Sequence, residues 1–143
     1  MIDSEERYQA LLAKLKGRGA RLTSHRLVLL RLLSVSEDHP DASKIYHQLR
    51  IQFPTISLAT VYKTLHLLKE EGEVLEIPLQ NGAHYDGRKP YPHPHLICTK
   101  CGKIMDGDEL TFPETANREI QIKFNFKVAK SQLIFYGICG GCH

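Results

Sequence analysis

The sequence predicts an α+β fold: a winged helix-turn-helix over residues 1–80, then a small α/β metal-binding domain over 84–143 with a four-cysteine zinc site. Three observations carry this. Four stretches with apolar residues at helical spacing precede a hairpin signal at Asn81-Gly82. The character of the chain changes between Pro78 and Gly82, from helical periodicity to strands and metal-ligand residues. All four cysteines fall in two C-x-x-C pairs, Cys98/Cys101 and Cys139/Cys142.

The elements follow in order. A first helix is expected over 4–16, with Leu11, Leu12 and Leu15 on one side and Gly17-Arg18-Gly19 ending it. Thr23 or Ser24 caps a second over 27–33, dense enough in leucine to be buried. His39-Pro40 breaks the pattern, and a third helix runs from Asp41, with Ile45 and Leu49 inward, to Phe53-Pro54. The clearest helix spans 57–68. Leu58, Val61, Leu65 and Leu68 form its apolar stripe, and Ala59, Thr60, Lys63 and His66 lie away from it with Tyr62 at the flank. That outer face is small, hydroxylated, aromatic and basic, which suits a helix in a DNA groove. Strands over 74–78 and 83–86 complete the wing. Beyond them, a helix is expected over 114–123 with Ala116 and Ile120 inward. A long strand over 126–136, buried on both sides, leads to the last cysteine pair.

Paired C-x-x-C turns bring four thiolates to one tetrahedron, the arrangement of a structural zinc site. A rubredoxin-like iron centre uses the same spacing. Two disulfides fit less well in a chain whose acidic start, Asp3-Ser4-Glu5-Glu6, is no export signal. The expected location is the cytoplasm, and no apolar run is long enough for a membrane span. The net charge is only +3, but residues 14–31 hold Lys14, Lys16, Arg18, Arg21, Arg26 and Arg31 with no acid among them. Such a stripe suits a polyanion, although alone it reads more readily as a solvated helix face. The second half is too small to bury much by itself, so metal and a partner subunit are the expected supports.

A second constellation has no sulfur. His93 and His95 are two apart, so on a strand they share a face. Asp106 follows the first knuckle, Asp86 follows the hairpin, and His39 sits at a helix break. Three imidazoles and two carboxylates suit Mn(II) or Fe(II) better than a thiolate-rich site would, and Zn(II) would also bind, although each residue alone reads as an ordinary surface group. His84 is left open as a further ligand. His25, His47 and His66 read as helix-surface residues.

These residues reach a known family. The chain resembles the ferric uptake regulator family in residues 21–26 (RLTSHR), 39–42 (HPDA), 57–65 (SLATVYKTL), 85–86 (YD), 93–98 (HPHLIC), 101–104 (CGKI) and 136–139 (YGIC). The resemblance implies a homodimeric, metal-dependent transcriptional repressor with no organic cofactor, and not an enzyme. It has an N-terminal winged helix and a C-terminal α/β dimerisation domain. Iron sensors of the family carry glutamates where this chain has Asp86 and Asp106. In that respect the chain looks like the peroxide-sensing repressors (PerR). That implies regulatory Fe(II) or Mn(II) on His39, Asp86, His93, His95 and Asp106, with His39 or His93 oxidised by hydrogen peroxide. The outer face of the 57–68 helix and the basic stripe make the expected operator contacts Arg18, Arg21, Arg26, Ser57, Thr60, Tyr62 and Lys63, on a near-palindromic duplex bound by the dimer. Pro94 and Lys130 stand where some iron sensors have further ligands, so that additional site is expected to be absent. An iron- or zinc-responsive repressor without an oxidative step is the alternative within the family, and a small redox metalloprotein the alternative outside it.

Overall fold

A computed structural model describes residues 3–79, 82–89, 93–107 and 114–143. The chain divides into two compact units, Met1–Pro90 and Tyr91–His143.

The first unit is helical. Helix α1, Ser4–Gly17, starts where the Asp3 side chain accepts from the Glu6 N–H, with acids in its first turn and lysines in its last. Thr23 caps α2, Ser24–Val35, and Asp41 caps α3, Ala42–Gln52. Ser57 caps α4, Leu58–Glu70, which ends before Gly72 at φ 73°. The antiparallel strands β1, Leu75–Leu79, and β2, Gly82–Asp86, form the wing with Leu79 opposite Gly82. The expected turn residue Asn81 lies outside the described residues. Leu11, Leu15, Leu29, Leu30, Leu33, Ile45, Leu49, Leu65 and Leu68 are at most 1% exposed and form one core. Each buries a side chain that contributes about 1.5–3 kcal/mol.

Two details of α4 differ from the periodicity. Leu58, expected on the buried stripe, is 39% exposed, and Thr64 is fully buried. Leu58 is the first helical residue, where the chain leaves the core. Thr64 falls on the same face as Val61 and Leu68, and its hydroxyl is satisfied inside by Arg26 Nε at 3.1 Å. Buried Arg7 ties this unit together. It donates to the Gly87 carbonyl at 2.7 Å, pairs with the Glu73 carboxylate at 2.7 Å and also bonds the Glu73 carbonyl. Position 87 has no room for a side chain, since a Cβ there would stand 2.8 Å from Leu33.

The second unit is a three-stranded sheet, order β4-β3-β5, with β3 at His95–Cys98, β4 at Ile104–Asp106 and β5 at Ile134–Gly137. β4 is antiparallel to β3 and β5 parallel to it, so α5, Glu114–Phe124, lies in the crossover connection. In place of the strand expected over 126–136, the structure has only Ile134–Gly137 as strand. It is also an edge strand, so Phe135 at 47% and Tyr136 at 61% exposure are open instead of buried on both sides. Ile120, expected inward, is 37% exposed. Among the described residues of this unit the buried hydrophobic side chains are Ile97 and Cys98, while Ile122, Phe124, Phe126 and Ile138 are exposed.

Candidate metal centres and nucleic-acid interface

The four cysteines converge. One sulfur from each lies within 4.8 Å of all the others, and Cys101 and Cys139 are 3.8 Å apart. Four sulfurs at about 2.3 Å from one Zn(II) stand about 3.8 Å from each other, so the cluster fits zinc. The fold builds the cluster from two turns. The first leaves β3 and passes through Gly102 at φ 79°; the second follows β5, with Cys142 N–H donating to the Cys139 carbonyl at 2.9 Å. Cys98 Sγ accepts from the N–H groups of Cys101 at 3.5 Å and Cys139 at 3.3 Å. These bonds favour the thiolate and hold its pKa down to about 6. The neighbouring Cys139 sulfur, then that of Cys101, pushes the Cys142 thiol up to about 12.

In the same unit, the β3–β4 register sets His95 opposite Asp106. Asp106 Oδ1 lies 3.0 Å from His93 Nε2 and 3.5 Å from His95 Nε2. The two rings stand 4.4 Å apart between centroids. Both histidines are at most 4% exposed. His93 lies just ahead of β3, so the pair is not carried on one strand as the alternation predicts.

The first unit holds a matching pair. His39 Nε2 lies 3.3 Å from Asp86 Oδ2, and both side chains are at most 4% exposed. Asp86 Oδ1 accepts from the N–H groups of Arg88 and Lys89, each at 3.1 Å. This Asx turn engages one carboxylate oxygen and points the other at His39. A carboxylate facing imidazoles, with no sulfur, fits Fe(II) or Mn(II) in both groups, with Asp86 buried and Asp106 half-buried.

Around α4, Ser57, Thr60, Tyr62, Lys63 and Arg21 are not buried, with Tyr62 49% exposed. A groove of 610 Å³ between α4 and the wing is lined by Ala59, Tyr62, Lys63, His66, Lys69 and Tyr85 among others. Two of the expected phosphate contacts have internal partners. Arg18 pairs with Glu70 and, at 3.0 Å, with Glu71. Arg26 bonds Thr64 and the Arg21 carbonyl, fixing α2 against α4. Arg31 also pairs with Glu5 and lies 3.6 Å over the Tyr8 ring, so the basic stripe is partly neutralised in the fold. Helical spacing from Val61 flags Thr64; nothing in the sequence signals the roles of Arg7 and Arg26.

Comparison with known proteins places these centres in context. The model of the ferric uptake regulator family matches residues 17–136. The peroxide-responsive repressor PerR of Staphylococcus saprophyticus is 33% identical over 140 residues, 96% of this chain and 93% of that protein. The solved Campylobacter jejuni peroxide stress regulator is 34% identical, with a TM-score of 0.68 over 92% of this chain and 98% of that one. The Helicobacter pylori ferric uptake regulator Fur, whose structure reveals three functional metal binding sites, has a TM-score of 0.74 at 25% identity, covering 99% and 94%.

Proposed function

The chain belongs to the ferric uptake regulator family of metal-dependent repressors, and we propose that it senses hydrogen peroxide by oxidation of a histidine ligand. The observation that carries this reading is the pairing of buried imidazoles with aspartates, Asp86 beside His39 and Asp106 beside His93 and His95. One regulatory Fe(II) or Mn(II) takes all five side chains, and Cys98, Cys101, Cys139 and Cys142 hold a structural Zn(II). The family membership supports a cytoplasmic transcriptional regulator and not an enzyme. Among the described residues no helix is long and apolar enough to cross a membrane.

The pairs belong to different units, so sharing an ion restrains the DNA-binding domain, residues 1–80, relative to the dimerisation domain, residues 84–143. The restrained form binds operator better, and the metal shifts the population toward it. The dimer presents two copies of α4 to a near-palindromic duplex. Tyr62 and Lys63 reach bases, Ser57 and Thr60 approach the backbone, and Arg18, Arg21 and Arg26 face phosphates. The internal partners of Arg18 and Arg26 make Arg21 the strongest of the three phosphate contacts.

Fe(II) held by these residues would supply the redox activation of peroxide, with no net change in the iron. In the net reaction one C–H of the His39 or His93 imidazole becomes C–OH, and peroxide leaves as water. The imidazole loses two electrons and peroxide gains two. An oxidised imidazole is a weaker ligand, so the restraint is lost and DNA is released. The cysteines, held by zinc, take no part. Operator binding measured by fluorescence anisotropy tests the reading. Peroxide should release the iron-loaded protein and leave the manganese-loaded protein bound. Equal retention of both forms would favour an iron- or zinc-responsive repressor without an oxidative step, the reading to which the Helicobacter pylori likeness lends support.

A further inference from the structure

His39 has a backbone unlike its neighbours. Its φ of 52° lies in the left-handed region, which a side-chain-bearing residue adopts only where its surroundings hold it there. The helix break at Pro40 explains why the chain turns, but not why the imidazole ends beside Asp86. Strand β2 supplies the restraint. Tyr85 N–H donates to the Pro40 carbonyl at 2.9 Å, and Asp41 bridges to His84 in antiparallel register. His84 then reaches the strained residue itself: its Nδ1 lies 2.7 Å from the His39 carbonyl oxygen. A carbonyl oxygen only accepts, so Nδ1 of this ring carries a proton and donates in this bond. Its Nε2 is buried and has no hydrogen-bond partner among the described residues.

We propose that His84 is a positioning residue for the regulatory metal: its Nδ1–H holds the His39 carbonyl, and so aims the His39 imidazole at the ion. His39 and His84 are 45 residues apart, and Asp86 is two residues beyond His84 on the same strand. One strand therefore delivers a ligand, Asp86, and clamps the backbone of a second. Without the clamp, His39 relaxes toward an unstrained backbone and its ring swings from Asp86. The inference rests on the five-ligand reading above.

Mn(II) titration of the zinc-loaded full-length protein tests it, by calorimetry and by the electron paramagnetic resonance signal of free Mn(II). Wild-type protein should bind one Mn(II) per chain at this site, and His39→Ala should abolish that binding. His84→Ala should weaken it roughly 10- to 100-fold, the usual effect of losing a group that orients a ligand. His84→Asn keeps an N–H donor near the Nδ1 position and should recover most of the affinity. The zinc content of all variants should be unchanged. A His84→Ala affinity within threefold of wild type overturns the proposal. So does a loss that His84→Asn fails to recover, which would make Nε2 itself a ligand. A wild-type protein that takes up no Mn(II), or a His39→Ala protein that takes it up undiminished, overturns the five-ligand reading, and this inference with it.

Discussion

Asp86 shows how a single side chain divides its duties. Its Oδ1 accepts from two backbone N–H groups while Oδ2 faces His39. Asp86→Asn can keep the Asx turn and loses the charge. Its metal-free melting temperature should stay close to wild type while Mn(II) affinity falls at least tenfold; calorimetry reads both. Asp86→Glu is one methylene too long for the turn and should lower both. At the zinc cluster, a Cys142 thiol at about 12 is protonated at pH 7, and a thiolate is required to bind metal. Zinc uptake at pH 7 should therefore release protons, so calorimetric heats should differ between buffers of different ionisation enthalpy. Identical heats would contradict it. The cysteine and histidine sets were legible because metal chemistry restricts residue type and spacing. The φ of His39, the Asx turn and the His84 bond were not, since they depend on a strand meeting a helix break 45 residues away.

At the scale of elements, α4 depends on its cap and on its tie to α2. Ser57 Oγ accepts from Thr60 N–H at 3.2 Å, so Ser57→Ala should cost about 1 kcal/mol in denaturant unfolding. Arg26→Ala leaves the buried Thr64 hydroxyl without that donor and loosens α4, so it should lower both stability and operator affinity. Arg21→Ala should reduce affinity alike for all sequences and flatten the salt dependence, whereas Lys63→Ala should also alter sequence preference. Anisotropy at several salt concentrations separates these outcomes. The four N-terminal helices and the wing were legible because caps and leucine spacing are local signals. β5 was overextended because alternation of apolar residues marks a strand that will be covered, and does not say by what. Among the described residues nothing buries that face: Phe124, Phe126, Phe135 and Tyr136 stay exposed.

For the whole molecule, those exposed aromatics and the sparse core of Tyr91–His143 support assembly with a second copy, with zinc closing the two turns. Chelating zinc or replacing Cys98 by serine should therefore convert dimer to monomer in analytical ultracentrifugation; a metal-free protein that stays dimeric would contradict this. If the regulatory metal is shared as proposed, linkage requires operator DNA to tighten Mn(II) binding by the factor with which Mn(II) tightens DNA binding. Asp106→Glu should keep that coupling and blunt the oxidation. The central claim, that peroxide is sensed at a histidine and not at a cysteine, is tested most directly by mass-spectrometric peptide mapping after peroxide. In the iron-loaded protein one oxygen atom should appear on His39 or His93, with all four cysteines unmodified and no such oxygen in the manganese-loaded protein. Release of DNA with both histidines intact and Cys98 or Cys101 oxidised would contradict it.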